Sequence, residues 1–348
     1  MEHRKLGATG ISVSPLCLGA MMFGAWGNTD HDDSIAIIHA ALDAGINFID
    51  TADVYSRGES EEIVGKALVG GRRDSVVLAT KAHGKMHDSE GGWDPNHFGN
   101  GRRWLVKEVE SSLKRLKTDW IDLYQIHRPE PDTDIDQTLG ALTDLVAAGK
   151  VRAIGSSTYP AWQIVQAQWA AEKRGRERFM CEQPPYSMLI RSIEKDVLPV
   201  CQEYGMGVIP WSPLAGGWLS GRYSKGGESP GSSRRAQMLP SRYDMSIPAN
   251  QAKLEAAQAL GEVADGAGMG LIEMSLAFVT SHPAVTAAII GPRTMEQLQS
   301  QLGALERPVL SGEVLDRIDE VVPPGTNVNQ NDTGWDAPWL TDSSLRRR

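Results

Sequence analysis

The sequence predicts an α/β protein that folds as one (β/α)8 TIM barrel. Short apolar runs alternate along most of the chain with longer segments whose apolar residues recur every three or four positions, the pattern of βαβ units and a parallel sheet. Eight such units follow one another without an intervening linker, which favours a closed barrel over a two-domain, doubly wound sheet. No Gly-x-Gly-x-x-Gly follows the first strand, so the fingerprint of an open dinucleotide-binding sheet is missing.

The chain begins with a predicted β-hairpin within residues 1–13. Residues 4–6 and 11–13 flank a turn that contains two glycines, and such short runs on either side of a turn are typical of hairpins. We expect this hairpin to cap one end of the barrel.

The first strand and helix of the barrel follow. Residues 16–19 form a short apolar run that ends in glycine, and they predict the first barrel strand. In the helix predicted at residues 32–44, Ile35, Ile38 and Leu42 share one face, which we expect to pack on the sheet.

The same alternation continues to residue 305. The remaining predicted strands are residues 47–50, 75–81, 121–127, 151–156, 179–183, 207–211 and 287–291. The remaining predicted helices are residues 60–69, 162–173, 193–204, 251–267, 271–281 and 295–305, with two more indicated by apolar residues between 105 and 116 and between 139 and 145.

Two long loops interrupt the pattern, and both follow strands. Residues 82–104 and 212–248 are therefore expected at the C-terminal face of the barrel, where barrel enzymes carry their active sites. Residues 323–348 look irregular, and we expect this C-terminal loop to fold over one mouth of the barrel. Residues 1–348 are thus interpreted as a single domain.

The composition excludes several classes of protein. A formal charge of −9 argues against a general nucleic-acid binder. Cys17, Cys181 and Cys201 are too few and too irregularly spaced for a disulfide framework or a metal cluster, so we expect reduced thiols and no metal. No stretch approaches the roughly 18 apolar residues of a membrane span, and the first residues lack the apolar region of a signal peptide. We therefore expect a cytoplasmic protein without a nucleic-acid or membrane partner.

Three predicted strands end in residues that can move a proton. Asp50, Lys81 and His127 close the second, third and fourth barrel strands, and Tyr55 follows in the loop above Asp50. Because the C-terminal ends of parallel barrel strands meet at one rim, we expect these four side chains to lie together.

The four residue types suit chemistry at a carbonyl group. A tyrosine with its ordinary pKa of about 10 is a poor acid at neutral pH, but a neighbouring ammonium favours the phenolate, and a carboxylate keeps that ammonium charged. A histidine offers a second donor to the carbonyl oxygen and stabilises the negative charge that develops there. With a nicotinamide to supply hydride, the set predicts a carbonyl reductase.

Each residue also has a simpler interpretation. Asp50 and Tyr55 are common loop residues, and Lys81 suits a surface ion pair at the rim. His127 suits a structural histidine, and Lys81 also suits the Schiff-base lysine that aldolase-type barrels carry at a strand end.

Motifs spread over most of the chain carry a resemblance to the aldo-keto reductase superfamily, in particular to its bacterial branches related to the potassium-channel β subunits. The matching motifs are Lys-Leu-Gly at 5–7 with Gly10, residues 47–52 with Tyr55, and residues 58–61, 79–81, 119–122, 125–127, 149–152 and 211–217.

This resemblance implies catalytic roles and a cofactor. Tyr55 would be the general acid, Lys81 and Asp50 would tune it, and His127 would orient the substrate carbonyl. The expected cofactor is NADP, as NADPH. The implied cofactor-binding residues are Ala20, Met21, Asp50, Ser157, Thr158, Gln183, Trp211, Ser212, Leu214, Gly216, Arg222, Arg235, Gly291, Arg293, Gln297 and Gln301.

Within that set, each group has its own part of the cofactor. Ser157, Thr158 and Gln183 are expected to hold the carboxamide, and Trp211 is expected beside the ring. Residues 212–216, Arg222 and Arg235 are expected at the pyrophosphate. Arg293 and the helix that follows it suit a 2′-phosphate, which favours NADP over NAD, and Gln297 and Gln301 are expected at the adenosine.

The substrate is expected to be a small carbonyl compound. Aromatic residues on the loops, Trp26, Trp93 and Tyr186, together with Tyr55 and His127, predict a pocket for an apolar or aromatic carbonyl or a sugar face. The function predicted is NADPH-dependent reduction of an aldehyde or ketone, reversible toward alcohol oxidation. The alternative is a nicotinamide-binding regulatory subunit with little turnover. A homo-oligomer is possible, and the sequence does not indicate the number of its subunits.

Overall fold

The computed structural model describes residues 2–86, 94–223, 227–232, 236–237, 239–306 and 309–345. Within these ranges β1 (Arg4–Lys5) pairs antiparallel with β2 (Ser12–Val13) as the predicted hairpin. The barrel strands are β3 (Leu16–Gly19), β4 (Phe48–Asp50), β5 (Val77–Ala82), β6 (Ile121–Ile126), β7 (Val151–Ser157), β8 (Cys181–Gln183), β9 (Gly207–Val208) and β10 (Ala288–Ile290).

The eight strands form one parallel sheet in the order β10-β3-β4-β5-β6-β7-β8-β9. Its two outer strands also meet. Thr286 N donates to Val208 O at 2.8 Å, and Ile289 N donates to Pro210 O at 2.9 Å. A parallel bridge joins Val208 to Val285. The sheet thus curls round on itself, and the predicted barrel fold is confirmed.

Helices surround the strands. Those of seven or more residues are α1 (His31–Asp43), α2 (Glu59–Ala67), α3 (Arg102–Leu116), α4 (Ile135–Ala147), α5 (Ala161–Arg174), α6 (Val197–Glu203), α7 (Pro248–Gly266), α8 (Leu271–Ser281), α9 (Met295–Leu302) and α10 (Gly312–Val321). Several helices begin just after a residue whose side chain accepts a hydrogen bond from a backbone N–H of the first turn. Asp30 caps α1, and Asp134 caps α4.

The strand alternation separates two apolar regions. Cys17 packs inside the barrel, whereas Leu16 and Leu18 face the helices. Leu6 of the hairpin joins the inner cluster, so the hairpin closes one end of the barrel. Gly7 makes this possible, because its φ is 54° and a Cβ there would lie 2.6 Å from the Gly207 nitrogen.

The main differences from the predicted elements have local causes. β9 ends at Val208 rather than at residue 211, because Pro210 has no N–H to donate to a neighbouring strand. α6 begins at Val197 rather than at residue 193, because the Asp196 side chain caps the helix by accepting from Val197 N. The prediction missed α10, although Ser311 caps it through Val314 N.

Two smaller differences concern the ends of elements. β8 begins at Cys181 rather than at residue 179, and α9 ends at Leu302 and continues as the 3-10 turn Gly303–Glu306.

Within the described ranges, no helix taken alone has the length and apolar character to cross a membrane. Only α7 and α8 together pass such a test, and they are bent by 93°.

Candidate active site

Lys81 joins the two ends of the predicted catalytic set. Its Nζ donates to Asp50 Oδ2 at 2.5 Å, to Tyr55 Oη at 3.3 Å and to Thr51 O at 2.8 Å. The register of β4 against β5 causes this, because Asp50 pairs with Ala79 and Lys81 stands two residues further along. Lys81 is fully buried and Asp50 is 2% exposed. The structure therefore brings these three residues together at the C-terminal rim.

Two inward-facing glutamines orient the Asp50 carboxylate. Gln125 Nε2 donates to Asp50 Oδ1 at 3.1 Å, and Gln183 Nε2 donates to the same oxygen at 2.9 Å. Both carboxylate oxygens are thus bonded, which is the usual condition of a buried charge. We did not single out Gln125 from the sequence. It follows Leu123 by two positions on β6, and this spacing was the available signal for an inward-facing polar residue.

The partners of Lys81 keep it charged. Burial lowers its pKa, but the Asp50 carboxylate and the Tyr55 hydroxyl raise it by more, so the pKa lies above its ordinary value. The ammonium also lies 4.9 Å from the centre of the Tyr55 ring. A permanent positive charge at this point stabilises negative charge on the Tyr55 oxygen.

His127 lies beside Tyr55 and is held neutral. The two ring centroids are 5.5 Å apart with the rings nearly perpendicular, and His127 N donates to Ala82 O at 3.0 Å. Burial lowers the pKa of His127 well below its ordinary value, and the charges of Arg128 and Lys81 lower it further. A neutral imidazole carries one N–H donor, which suits hydrogen bonding to a carbonyl oxygen.

The loop that carries Tyr55 adopts an unusual backbone conformation. Ser56 and Arg57 have φ values of 48° and 58°, in the left-handed region that non-glycine residues rarely occupy. Ser56 Oγ accepts from Trp26 N at 3.1 Å, and the Trp26 ring centroid lies 5.9 Å from that of Tyr55. The structure therefore brings Trp26 to the catalytic set.

A second group of predicted residues meets at the ends of β7 and β8. Ser157 Oγ and Thr158 N both donate to Gln183 O, at 2.9 and 3.1 Å. Thr158 has a φ of 61°, which turns the chain sharply after β7. Since Gln183 also contacts Asp50, this group adjoins the catalytic set.

The segment after β9 presents its main chain at the same face. Ser212, Ala215 and Gly216 have φ values of 57°, 49° and 69°. Trp211, half-buried, has a buried Nε1 without a hydrogen-bond partner in the described part of the chain. Its ring packs so closely against Gly334 that a Cβ there would lie 2.6 Å away. The C-terminal segment therefore covers the outer edge of this indole.

On the other side of the catalytic set lie two residues that follow β3. Ala20 N donates to Asp50 O at 2.8 Å, and Ala20 is buried while Met21 is half-buried. The predicted cofactor residues Ala20 and Met21 thus flank the end of β4.

The segment after β10 exposes a cation at the start of a helix. Gly291 and Arg293 are exposed, and Arg293 N donates to Gln297 Oε1 at 2.8 Å. Thr294 caps α9 by accepting from Gln297 N. Gln301 is 6% exposed, and among the described residues its Oε1 has no partner. Gln297 thus serves the start of the helix, whereas Gln301 keeps a free acceptor.

Two predicted site residues, Tyr186 and Arg222, have their described side-chain hydrogen bonds outside these groups. Tyr186 is buried, donates to Glu194 Oε1 at 2.7 Å and packs against Phe278. Its side chain is therefore not brought to the catalytic set. Arg222 is exposed and its Nε donates to Ser220 Oγ at 3.0 Å. Trp93 and Arg235 lie outside the described residues.

Glu182 lies beneath Thr158 as a buried acid. Ser156 Oγ donates to its Oε2 at 2.5 Å, and Tyr159 N donates to its Oε1 at 3.1 Å. Burial raises the pKa of Glu182 to about 7, and these hydrogen bonds lower it by less. Near neutral pH the carboxyl is therefore only partly ionised.

We expect Glu182→Gln to change how stability depends on pH. The pKa of Glu182 is higher in the folded state than in the unfolded chain, where it is about 4.3. At pH values between these two pKa values the folded state therefore binds more protons than the unfolded state. The free energy of unfolding should therefore fall as pH rises through this window, by up to about 3 kcal/mol from this group. Urea unfolding should be measured from about pH 5 to about pH 8. Over this range the free energy of unfolding of the variant should rise relative to that of the wild type. A difference that stays constant with pH would contradict the assignment.

Comparisons with known proteins show the family to which this chain belongs. The Aldo/keto reductase family profile matches residues 15–323. An uncharacterized oxidoreductase, YrpG, of Bacillus subtilis (strain 168) is 40% identical over 93% of this chain and 97% of its own length. A probable voltage-gated potassium channel subunit beta of Arabidopsis thaliana is 33% identical over 92% of this chain and 97% of its own. Norsolorinic acid reductase B of Dothistroma septosporum (strain NZE10 / CBS 128990) is 32% identical over 90% of this chain and 80% of its own. The chain therefore belongs to the aldo/keto reductase family and is an oxidoreductase of that family.

Proposed function

We propose that the protein reduces an aldehyde or ketone to the alcohol with NADPH, and that it oxidises the alcohol in the reverse direction. One observation carries the proposal: the fully buried Lys81 ammonium is hydrogen-bonded to Asp50 and to Tyr55 at once. A structural ion pair needs no phenol at its edge, whereas a tyrosine that moves a proton needs this charge beside it.

The side chains divide the work at the substrate oxygen. Tyr55 donates its hydroxyl proton to the carbonyl oxygen as general acid, and Lys81 stabilises the phenolate that remains. Asp50 holds Lys81 charged and in place. His127, being neutral, donates its ring N–H to the same oxygen and orients it. A nicotinamide bound at this rim would supply the hydride to the carbonyl carbon.

Two unpaired polar atoms support a dinucleotide as the cofactor. Gln301 Oε1 and Trp211 Nε1 are buried without partners in the described ranges, and a bound ligand would satisfy them. We assign the carboxamide to Ser157, Thr158 and Gln183. The sharply turned main chain of residues 212–216 and the exposed Arg222 suit the pyrophosphate, because N–H groups and a guanidinium both bind anions.

We expect Arg293→Ala to weaken NADPH binding by about 10- to 100-fold, the usual effect of losing hydrogen bonds to a charged group. NADH lacks the 2′-phosphate, so its dissociation constant should change by less than about threefold. Quenching of tryptophan fluorescence on titration with each nucleotide measures both constants. Equal losses for the two nucleotides would show that Arg293 serves the fold or another part of the cofactor. Equal affinities in the wild type would remove the preference for NADP.

The direct test of the function is steady-state turnover. NADPH oxidation should be followed at its absorbance with a panel of aliphatic and aromatic aldehydes, ketones and sugars. We expect turnover with several of them, and aromatic aldehydes should be favoured because Trp26 adjoins Tyr55. The absence of turnover with any member, despite NADPH binding, would contradict the proposal.

A second candidate is a regulatory subunit that holds the nucleotide with little turnover. Its support is the 33% identity to a probable potassium channel subunit beta in Arabidopsis thaliana. The same two measurements separate the candidates, since this one predicts tight nucleotide binding together with negligible turnover. The complete set of Asp50, Tyr55, Lys81 and His127 favours the enzyme.

A further inference from the structure

Arg128 places a guanidinium beside the candidate active site, at the C-terminal ends of β6 and β7. It follows His127 directly, after the end of β6, and its Nη1 donates to His127 O at 2.6 Å and to Thr158 Oγ1 at 3.3 Å. Two fixed points on neighbouring strand ends hold this half-buried group in place. Tyr55 is close enough for its charge to affect the pKa of Arg128.

Arg115 and Arg191 are each paired with two acids, whereas Arg128 is paired with none among the described residues. Arg115, which is half-buried like Arg128, contacts both Glu61 and Glu108. Arg191 likewise contacts two carboxylates, Glu194 and Asp319. Among the described residues, no carboxylate forms an ion pair with Arg128. Burying a guanidinium without such a partner is costly, which points to a partner that comes from outside the chain.

Glu182, the acid whose charge acts on Arg128, compensates that charge only in part. Glu182 is engaged by Ser156 and Tyr159, and burial raises its pKa to about 7. Burial, and then Arg242, lowers the pKa of Arg128, so a second guanidinium adds positive charge on this side.

That second cation is itself only weakly balanced. Arg242 Nε donates to Asn331 O at 2.8 Å and lies 3.8 Å from Asp332 Oδ1. Asp332 already accepts from Lys253 Nζ at 2.7 Å. One carboxylate thus serves two cations, Arg242 and Lys253, and among the described residues it forms no ion pair with Arg128.

The free edge of Arg128 has the shape that binds an oxyanion. Both hydrogen bonds described for its side chain use Nη1, which leaves Nε and Nη2 without a described acceptor. Those two N–H groups form the fork that binds carboxylate or phosphate with two parallel hydrogen bonds.

We propose that Arg128 binds an anionic group of the substrate, so that the enzyme prefers carbonyl compounds that carry a carboxylate or a phosphate. This inference rests on the proposed reductase function and narrows its substrate class. The aromatic neighbour Trp26 remains available to the uncharged part of such a substrate.

Matched substrate pairs test the proposal. One pair is 4-carboxybenzaldehyde and its methyl ester, and the other is glyceraldehyde 3-phosphate and glyceraldehyde. We expect the wild type to favour at least one charged member in kcat/KM by about tenfold or more, and the favoured pair identifies the anion. In Arg128→Met this ratio should fall by about 10- to 100-fold, mainly through KM. Arg128→Lys keeps the charge but loses the fork, so its ratio should lie between the two.

Arg242→Met is the matched control for the long-range electrostatic effect of positive charge near the site. It removes a second guanidinium near the same site, yet it leaves the fork of Arg128 intact. The ratio should change by less than about threefold in this variant, because charges without direct contact are screened by salt. An equal fall in both variants, or a wild-type ratio near one for both pairs, would overturn the proposal.

Binding measurements separate this inference from the reductase proposal. The alcohol 4-(hydroxymethyl)benzoate and its methyl ester should be titrated into the complex with NADP⁺, with thermal unfolding run on every variant to confirm folding. We expect the wild type to bind the carboxylate more tightly and Arg128→Met to lose that preference, even if no aldehyde is turned over. A variant that instead loses affinity for NADPH would show that Arg128 serves the cofactor.

Discussion

Tyr55→Phe should lower kcat by at least about 100-fold, the effect of removing a positioned general acid. The phenylalanine ring keeps the contacts of Tyr55 with Trp26 and His127, and only the hydroxyl is lost. Lys81 keeps its stronger hydrogen bonds to Asp50 and Thr51. We therefore expect the free energy of unfolding to change by less than about 1 kcal/mol, and NADPH binding to be unaffected.

Tyr124→Phe is the matched control for this variant. Tyr124 lies on β6 and is fully buried, and its hydroxyl has no hydrogen-bond partner within the described ranges. Removing this hydroxyl deletes the same atom from the same residue type, so turnover should stay within about twofold of the wild type. Comparable losses of kcat in the two variants would show that Tyr55 acts through packing rather than as an acid.

The sequence was sufficient to locate the catalytic set because strand ends are set by a simple pattern. The apolar alternation predicts the ends of β4, β5 and β6 to within one residue, and parallel strands bring those ends to one rim. Asp50, Lys81 and His127 were found in this way, and Tyr55 followed from its place just above Asp50. The structure shows the contacts of these four residues, and the variants test the roles proposed for them.

Side chains beyond the strand ends were harder to place. Tyr186 follows β8 closely, but its direction depends on tertiary contacts with Glu194 and Phe278 that no local pattern encodes. The sequence alone also does not predict that Arg128 lacks an ion-pair partner among the described residues, because this depends on which acids the fold brings near it. Gln125 was more accessible, since its spacing from Leu123 indicates the inner face of β6.

The Lys81–Asp50 pair allows stability and catalysis to be separated. Lys81→Met leaves the Asp50 carboxylate buried without its cation, which typically costs about 3 to 5 kcal/mol. Gln125 and Gln183 still donate to this carboxylate, so we expect a loss at the lower end of that range. Turnover should fall by at least about 100-fold, because the phenolate of Tyr55 loses its stabilising charge. Urea unfolding and NADPH oxidation measure the two effects.

The double variant Lys81→Met with Asp50→Asn distinguishes the causes. Removing both charges eliminates the unpaired carboxylate, so the free energy of unfolding should return to within about 1 to 2 kcal/mol of the wild type. Turnover should not return, because the ammonium beside Tyr55 is still absent. If the double variant were as unstable as Lys81→Met, lost packing and not the unpaired charge would explain the instability. If its turnover recovered together with its stability, Lys81 would act on the fold alone, and its proposed effect on Tyr55 would be wrong.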